Sequence, residues 1–269
     1  MKYKAIFCDY DGTLYGTDHT LSLTNIQAIK QYEANGGKFV ISTGRLFASI
    51  YPHTQKIGLS GDIITTQGAE IYDIDSKQSI WSKLFEINQA VEALRYCEQD
   101  SNSTPMIYVG NDCYAQFENE YTHIFAQITG LNLVYTNSLL SEFITINKIR
   151  PSKVLALIAD NKIEDFMDEG RQVLGENYEI CKSQSFLVEI LKSGINKGSA
   201  VKYLCQKYGL KLDDIICIGD SENDCSMIKI AGLGIAVDNA YDSVKAVAKY
   251  ISESNDDNAV AKIIERFCL

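Results

Sequence analysis

Short apolar, β-branched runs alternate with stretches of helical periodicity along most of the chain, the pattern of βαβ units feeding a mainly parallel sheet. Residues 4–11, KAIFCDYD, read as a first buried strand. Residues 23–37 read as a helix: Thr24 and Gln27 match a capping box, Ile26, Ile29 and Tyr32 recur on one face, and Asn35-Gly36-Gly37 stop it. A second strand follows at 38–43, a helix at 45–59, and a third strand at 62–72 that leads into a hairpin. From about Trp81 the pattern changes. Helices such as 87–100 now alternate with strand pairs such as 105–110 and 113–117, and the strand at 152–160 precedes a further helix. After 185–190 the buried parallel signature returns: helix 196–209, strand 215–220, helix 225–232, strand 234–237 and helix 241–250. The pattern predicts an α/β protein whose parallel-sheet core, residues 1–82 and 189–269, flanks an inserted α/β layer at 83–188.

Composition narrows the classes of function. With 269 residues, 46% hydrophobic and 22% charged, the chain is long enough for a large core and is neither disordered nor low in complexity. The 35 acidic against 25 basic side chains give a formal charge of −10, which disfavours broad contact with nucleic acid or an anionic membrane and favours small cationic partners, metal ions included. No apolar stretch reaches the ~18 residues of a spanning helix, and the N-terminal apolar run meets Asp9 before a signal core forms. A cytoplasmic protein is expected. Eight cysteines are scattered without CxxC spacing, as reduced thiols in a reducing compartment would be, and Cys217 reads as core packing. His19, His53 and His123 stand apart from one another and from cysteine pairs, so no zinc site is expected.

Candidate chemistry clusters at strand ends. Asp9-Tyr10-Asp11-Gly12-Thr13-Leu14 follows the first strand directly, where α/β folds bind ligands. If the extended geometry persists, the Asp9 and Asp11 carboxylates share a face. Either alone could be a turn residue, because Asp-Gly is a common turn dipeptide. A calcium loop fails, since Thr13 and Leu14 fall where a carboxylate or amide and the turn glycine are needed. Gly219-Asp220-Ser221-Glu222-Asn223-Asp224 follows another buried strand, although acidic residues also suit a helix start. Ser42-Thr43-Gly44-Arg45 ends the second strand, and Asn196-Lys197-Gly198 opens a helix. Each of these is weak alone: Thr43 could be a helix cap, and a single lysine is usually a solvated charge. In the order Asp-x-Asp, Thr, Lys, Asp-x-x-x-Asp they supply the parts of a metal-assisted phosphoryl-transfer site.

With these motifs the chain resembles the haloacid dehalogenase superfamily, and within it the Cof-type (IIB) phosphatases, over essentially its whole length. DYDGTL, STGR, INKG, GDSENDCSMI, AVDNA and YISESNDDNAVAKII fall in the family's order and spacing. Gln67-Gly68-Ala69 departs from the family's usual Asn-Gly-Ala. The resemblance implies a Rossmann-like, HAD-like core with an inserted α/β cap. It also implies Asp9 as a nucleophile that becomes an aspartyl phosphate and Asp11 as general acid and then base. Mg²⁺ would be held by Asp9, the Asp11 carbonyl and Asp220, with Asp224 supporting it from behind. Thr43, Gly44, Lys197 and Asn223 would hold the phosphoryl oxygens. Negative charge exceeds positive charge in such a site once substrate enters, which favours a protonated carboxyl, and Asp11 is the one that has a proton to deliver. The expected substrate is a small phosphorylated metabolite, a sugar phosphate or related monoester, with its identity set by the cap. A hexose-phosphate mutase and a non-catalytic phospho-metabolite sensor are the alternatives; a sensor would need neither Asp9 nor Asp11.

Overall fold

The computed structural model describes residues 2–269 and divides into two units. The first comprises residues 1–43, 53–79 and 196–269. Its five-stranded sheet runs in the order Tyr250–Ile251, Leu233–Ala236, Ile215–Gly219, Ala5–Cys8, Lys38–Ile41, and every neighbouring pair is parallel. Ala5–Cys8 and Ile215–Gly219 are buried throughout, which is why both read as unbroken apolar runs rather than alternating ones. From Ala5–Cys8 the chain moves to one side, to Lys38–Ile41, and later returns on the other side as Ile215–Gly219. The strand order therefore reverses between these two central strands, and the crevice at their carboxyl ends is where open α/β sheets bind ligands.

Local differences from the sequence pattern have plain causes. Ser22, not Thr24, caps the first helix, Leu23–Ala34, by accepting hydrogen bonds from the Thr24 and Asn25 N–H groups. Ile29 and Tyr32 are fully buried on its inner face, with Ile26 at the margin. The third predicted strand becomes an antiparallel hairpin, Asp62–Thr65 with Glu70–Asp73. Its turn takes the left-handed region at Thr66, Gln67 and Gly68 in succession, with φ of 49°, 56° and 91°. The helix expected at 241–250 is a single turn, Asp242–Lys245, because Tyr250–Ile251 is drawn into the sheet edge.

The second unit comprises residues 44–52 and 80–195. Its six strands lie in the order Tyr178–Gln184, Leu187–Lys192, Lys153–Leu157, Thr104–Val109, Asp112–Ala115, Leu133–Tyr135. Residues 189–195, grouped with the core on sequence, lie in this unit because Leu187–Lys192 pairs antiparallel with both Lys153–Leu157 and Tyr178–Gln184. Side chains alternate between the two faces. Ile107, Val154, Ala156, Val188 and Ile190 pack with the helices Ile87–Gln99 and Ile163–Leu174. Met106, Tyr108, Leu155, Leu157 and Leu187 gather around Leu46 and Phe125. All eight cysteines are free, and Cys217 is fully buried in the core sheet. No helix among the described residues is long and apolar enough to cross a membrane.

Candidate active site

Strand Ala5–Cys8 delivers Asp9 to the crevice, where the Asp9 N–H still donates to the Ile218 carbonyl (2.9 Å) and so keeps the ladder register. The chain then turns at Tyr10, whose carbonyl accepts from the Leu14 and Tyr15 N–H groups. The extended geometry that would have placed Asp11 on the same face as Asp9 therefore stops short of it. Gly12 makes the turn with φ of 79°. A Cβ there would sit 2.7 Å from the Asp220 Oδ2, so only glycine lets the loop lie against that carboxylate.

Helix Lys197–Tyr208 begins with a capping box: the Asn196 side chain accepts from the Ser199 N–H (3.0 Å), and the Ser199 hydroxyl accepts from the Asn196 N–H (3.1 Å). This cap fixes Lys197 at the first helical position. Gly198 lets the helix approach its neighbour, since a Cβ would lie 2.5 Å from the Ser226 carbonyl oxygen. Lys197 is completely buried, and its ammonium donates to Asp9 Oδ1 and Asp224 Oδ1, both at 2.5 Å. The other Asp224 oxygen accepts from the backbone N–H groups of Asp220 and Ser221, both at 3.0 Å. Asp224 is thus the hub that ties the lysine to the Asp220 loop. Asp220 accepts from the hydroxyls of Thr13 (2.7 Å) and Ser221 (2.8 Å).

The electrostatics follow from burial. Asp9, Asp220 and Asp224 each offer a carboxylate oxygen within 4.8 Å of the other two, and one ammonium, that of Lys197, pairs with Asp9 and Asp224. Burial first, and the Asp224 charge next, push the Asp9 carboxyl well above the usual range, with Lys197 opposing. The same two causes raise Asp220 to about 6 against the hydrogen bonds from Thr13 and Ser221. Burial alone would lower Lys197, but Asp224 and Asp9 more than reverse this, and its pKa lies above the ordinary lysine value. Three carboxylates against one ammonium leave two negative charges uncompensated among hard oxygen donors. That donor set fits a divalent, oxygen-seeking cation.

Asp11 stands outside the three-carboxylate cluster, although its charge adds to the shift at Asp9. Thr43 is buried, its N–H donating to the Ile64 carbonyl and its carbonyl accepting from the Gln67 N–H, each at 3.0 Å. Asn223 keeps a buried Oδ1 with no hydrogen-bond partner. Gly44 lies in the second unit. Sequence reasoning did not assign Thr13 or Ser221, yet both are hydroxyls inside the acidic motifs, a signal it could have used. His53 is not isolated: its Nδ1 shares a 2.5 Å hydrogen bond with the buried Tyr10 hydroxyl, and Tyr10 stacks on Tyr15 at 4.9 Å. Nothing local links residues 43 positions apart.

The chain is similar to known proteins along nearly its whole length. Residues 6–264 match the family pattern of the haloacid dehalogenase-like hydrolases. The chain is 31% identical to a 5-amino-6-(5-phospho-D-ribitylamino)uracil phosphatase of Bacillus subtilis over 99% of this chain and 96% of that protein. It is 28% identical, with a TM-score of 0.84, to a crystal structure of a haloacid dehalogenase-like hydrolase from Bacteroides thetaiotaomicron, covering 98% of this chain and 99% of that one. A subclass IIB sugar phosphatase, BT4131, shares the fold with a TM-score of 0.85 at 24% identity, covering 98% of each chain.

Proposed function

We propose, on the premise that the chain belongs to the haloacid dehalogenase-like hydrolases and is a phosphomonoester hydrolase, that it is a Mg²⁺-dependent phosphatase of small polyol or sugar phosphates working through an aspartyl phosphate. The observation that carries the mechanism is the buried Asp9–Lys197–Asp224 chain with Asp220 beside it. Lys197 holds Oδ1 of Asp9 and so leaves Oδ2 to attack phosphorus. As the Oδ2–P bond forms, the bond from phosphorus to the leaving oxygen breaks, and Asp11 gives that oxygen its proton. Water then attacks phosphorus, Asp11 takes the proton, and the P–Oδ2 bond breaks to release phosphate and restore the Asp9 carboxylate. Thr43, Gly44, Lys197 and Asn223 hold the phosphoryl oxygens; the unpartnered Asn223 Oδ1 marks an amide whose hydrogen bonds the fold itself does not complete.

Asp9, the Asp11 carbonyl and Asp220 would hold Mg²⁺, with Asp224 orienting the Asp220 loop through two backbone N–H groups. When bound, the cation supplies charge neutralisation for the phosphoryl group and the attacking carboxylate. Support for the substrate class comes from the B. subtilis relative, whose named substrate is the phosphomonoester of a ribityl chain. The free cysteines support a reducing, cytoplasmic setting. The test is phosphate release from a panel of phosphorylated sugars and polyols, with Mg²⁺ and with EDTA. Activity is expected only with the cation, and Asp9→Asn is expected to fall below about a thousandth of the wild-type rate. Turnover by Asp9→Asn above that level, with deamidation excluded by mass spectrometry, refutes Asp9 as nucleophile.

A further inference from the structure

Lys153 and Glu189 form an ion pair inside the second unit, Nζ to Oε1 2.7 Å, with the side chains 0% and 3% exposed. They lie on the sheet face that carries Tyr108, Leu155 and Leu187: Lys153 stands opposite Tyr108 in the ladder, and Glu189 opposite Leu155. The ammonium sits 4.6 Å from the Tyr108 ring centroid. Its remaining partner is the carbonyl oxygen of Gly44, at 2.7 Å. The second carboxylate oxygen of Glu189 is buried without any hydrogen-bond partner.

Stability does not account for this arrangement. Two charges removed from water repay their desolvation only when the remaining lone pairs and protons are satisfied, and an apolar pair of similar volume would fill the same space at no such cost. What an apolar pair cannot do is hold the Gly44 carbonyl. Glycine has no side chain to restrict its backbone, and Gly44 directly follows Thr43 in the loop assigned to the phosphoryl group. The peptide between Thr43 and Gly44 is already fixed by the Gln67 N–H on the Thr43 carbonyl. A fixed Gly44 carbonyl locks the next peptide plane as well, and because peptides are planar and trans, the N–H groups of Gly44 and Arg45 are then each held opposite a fixed carbonyl. A cation on the Gly44 carbonyl also polarises the Arg45 N–H, which belongs to the same peptide.

We propose that Lys153, held in place by Glu189, is a positioning residue that locks the Gly44 backbone in the geometry that binds the phosphoryl group. The inference rests on the phosphoryl-binding role given to Thr43 and Gly44 above. The contact that carries it, Lys153 to the Gly44 carbonyl, lies wholly within the second unit.

The test compares Lys153→Met with the double variant Lys153→Met/Glu189→Leu. The single variant strands a buried carboxylate and is expected to melt lower; the double variant removes both charges and is expected to melt at or above the wild-type temperature. Recovered stability should not recover binding. In the double variant the inhibition constant of inorganic phosphate and the KM values of p-nitrophenyl phosphate and of a sugar phosphate are all expected to rise by one common factor of about ten to a hundred. A double variant with wild-type phosphate inhibition, a factor that differs between the two leaving groups, or a double variant that melts below the single one would each overturn the proposal. Thr43→Ala distinguishes failure of the premise: unchanged phosphate inhibition there would remove the loop's phosphoryl-binding role itself.

Discussion

Asp220→Asn should stabilise the cation-free protein at neutral pH and destabilise it in acid. In the folded state burial, and after it Asp224, raise the Asp220 pKa to about 6, against about 3.9 in an unfolded chain. A raised pKa contributes stability that is fully present below about pH 4 and is lost as pH rises through about 6. A shift of about two units corresponds to about 3 kcal/mol; Asp220 retains an edge in solvent, and screening reduces this to about 2 kcal/mol. Asparagine avoids that loss but can accept from only one of the Thr13 and Ser221 hydroxyls, at a cost of about 1 kcal/mol. The variant should thus be about 1 kcal/mol more stable than wild type at pH 7.5 in EDTA and about 1 kcal/mol less stable at pH 4. For a chain of this size the swing corresponds to roughly 4–8 °C in Tm. Differential scanning fluorimetry from pH 4 to 8 measures it. Added Mg²⁺ should stabilise wild type by about 2.7 kcal/mol at a hundred times Kd, raising its Tm, and leave the variant nearly unmoved. A Tm deficit of equal size at both ends of the pH range would refute the charge-repulsion reasoning, and an undiminished Mg²⁺ response would refute Asp220 as a ligand.

Asp11→Asn leaves Asp9 able to attack but without a proton donor, so hydrolysis of alkyl monoesters should fall by about a hundredfold or more while p-nitrophenyl phosphate, with its good leaving group, still phosphorylates Asp9. Intact-protein mass spectrometry should then show the phosphoenzyme accumulating; continued turnover without it would contradict the two-step scheme. Gly12→Ala forces a side chain into left-handed backbone and to within 2.7 Å of Asp220 Oδ2. It should reduce kcat/KM by more than about tenfold and weaken Mg²⁺ activation, and wild-type activation curves would show that the loop has room it is not observed to have.

How much of the site was legible in the sequence depended on how local its cause was. The strand-end loops carrying Asp9, Thr43, Lys197 and Asp220 could be read because each follows or precedes an element with its own signature: buried apolar strands for Asp9, Thr43 and Asp220, and the periodicity of the helix that opens at Lys197. The alternation of these elements also sufficed for the class of fold. The first helix start slipped by two residues to Ser22, since two capping patterns overlapped there.

The tertiary structure alone decided which of those groups meet and in what state. Lys197 reads as an ordinary lysine until the fold sets it between Asp9, 188 positions away, and Asp224, and encloses all three. Asp11, two residues from Asp9, is left outside the carboxylate cluster because the chain turns at Tyr10. Residues 189–195 join the inserted unit because a strand belongs to whichever neighbours complete its hydrogen bonds. Lys153 reaches Glu189 and Gly44 across 36 and 109 positions. Periodicity records what a residue does to its own helix or strand; the burial of a charge is set by partners that distant segments bring, and no local pattern encodes them.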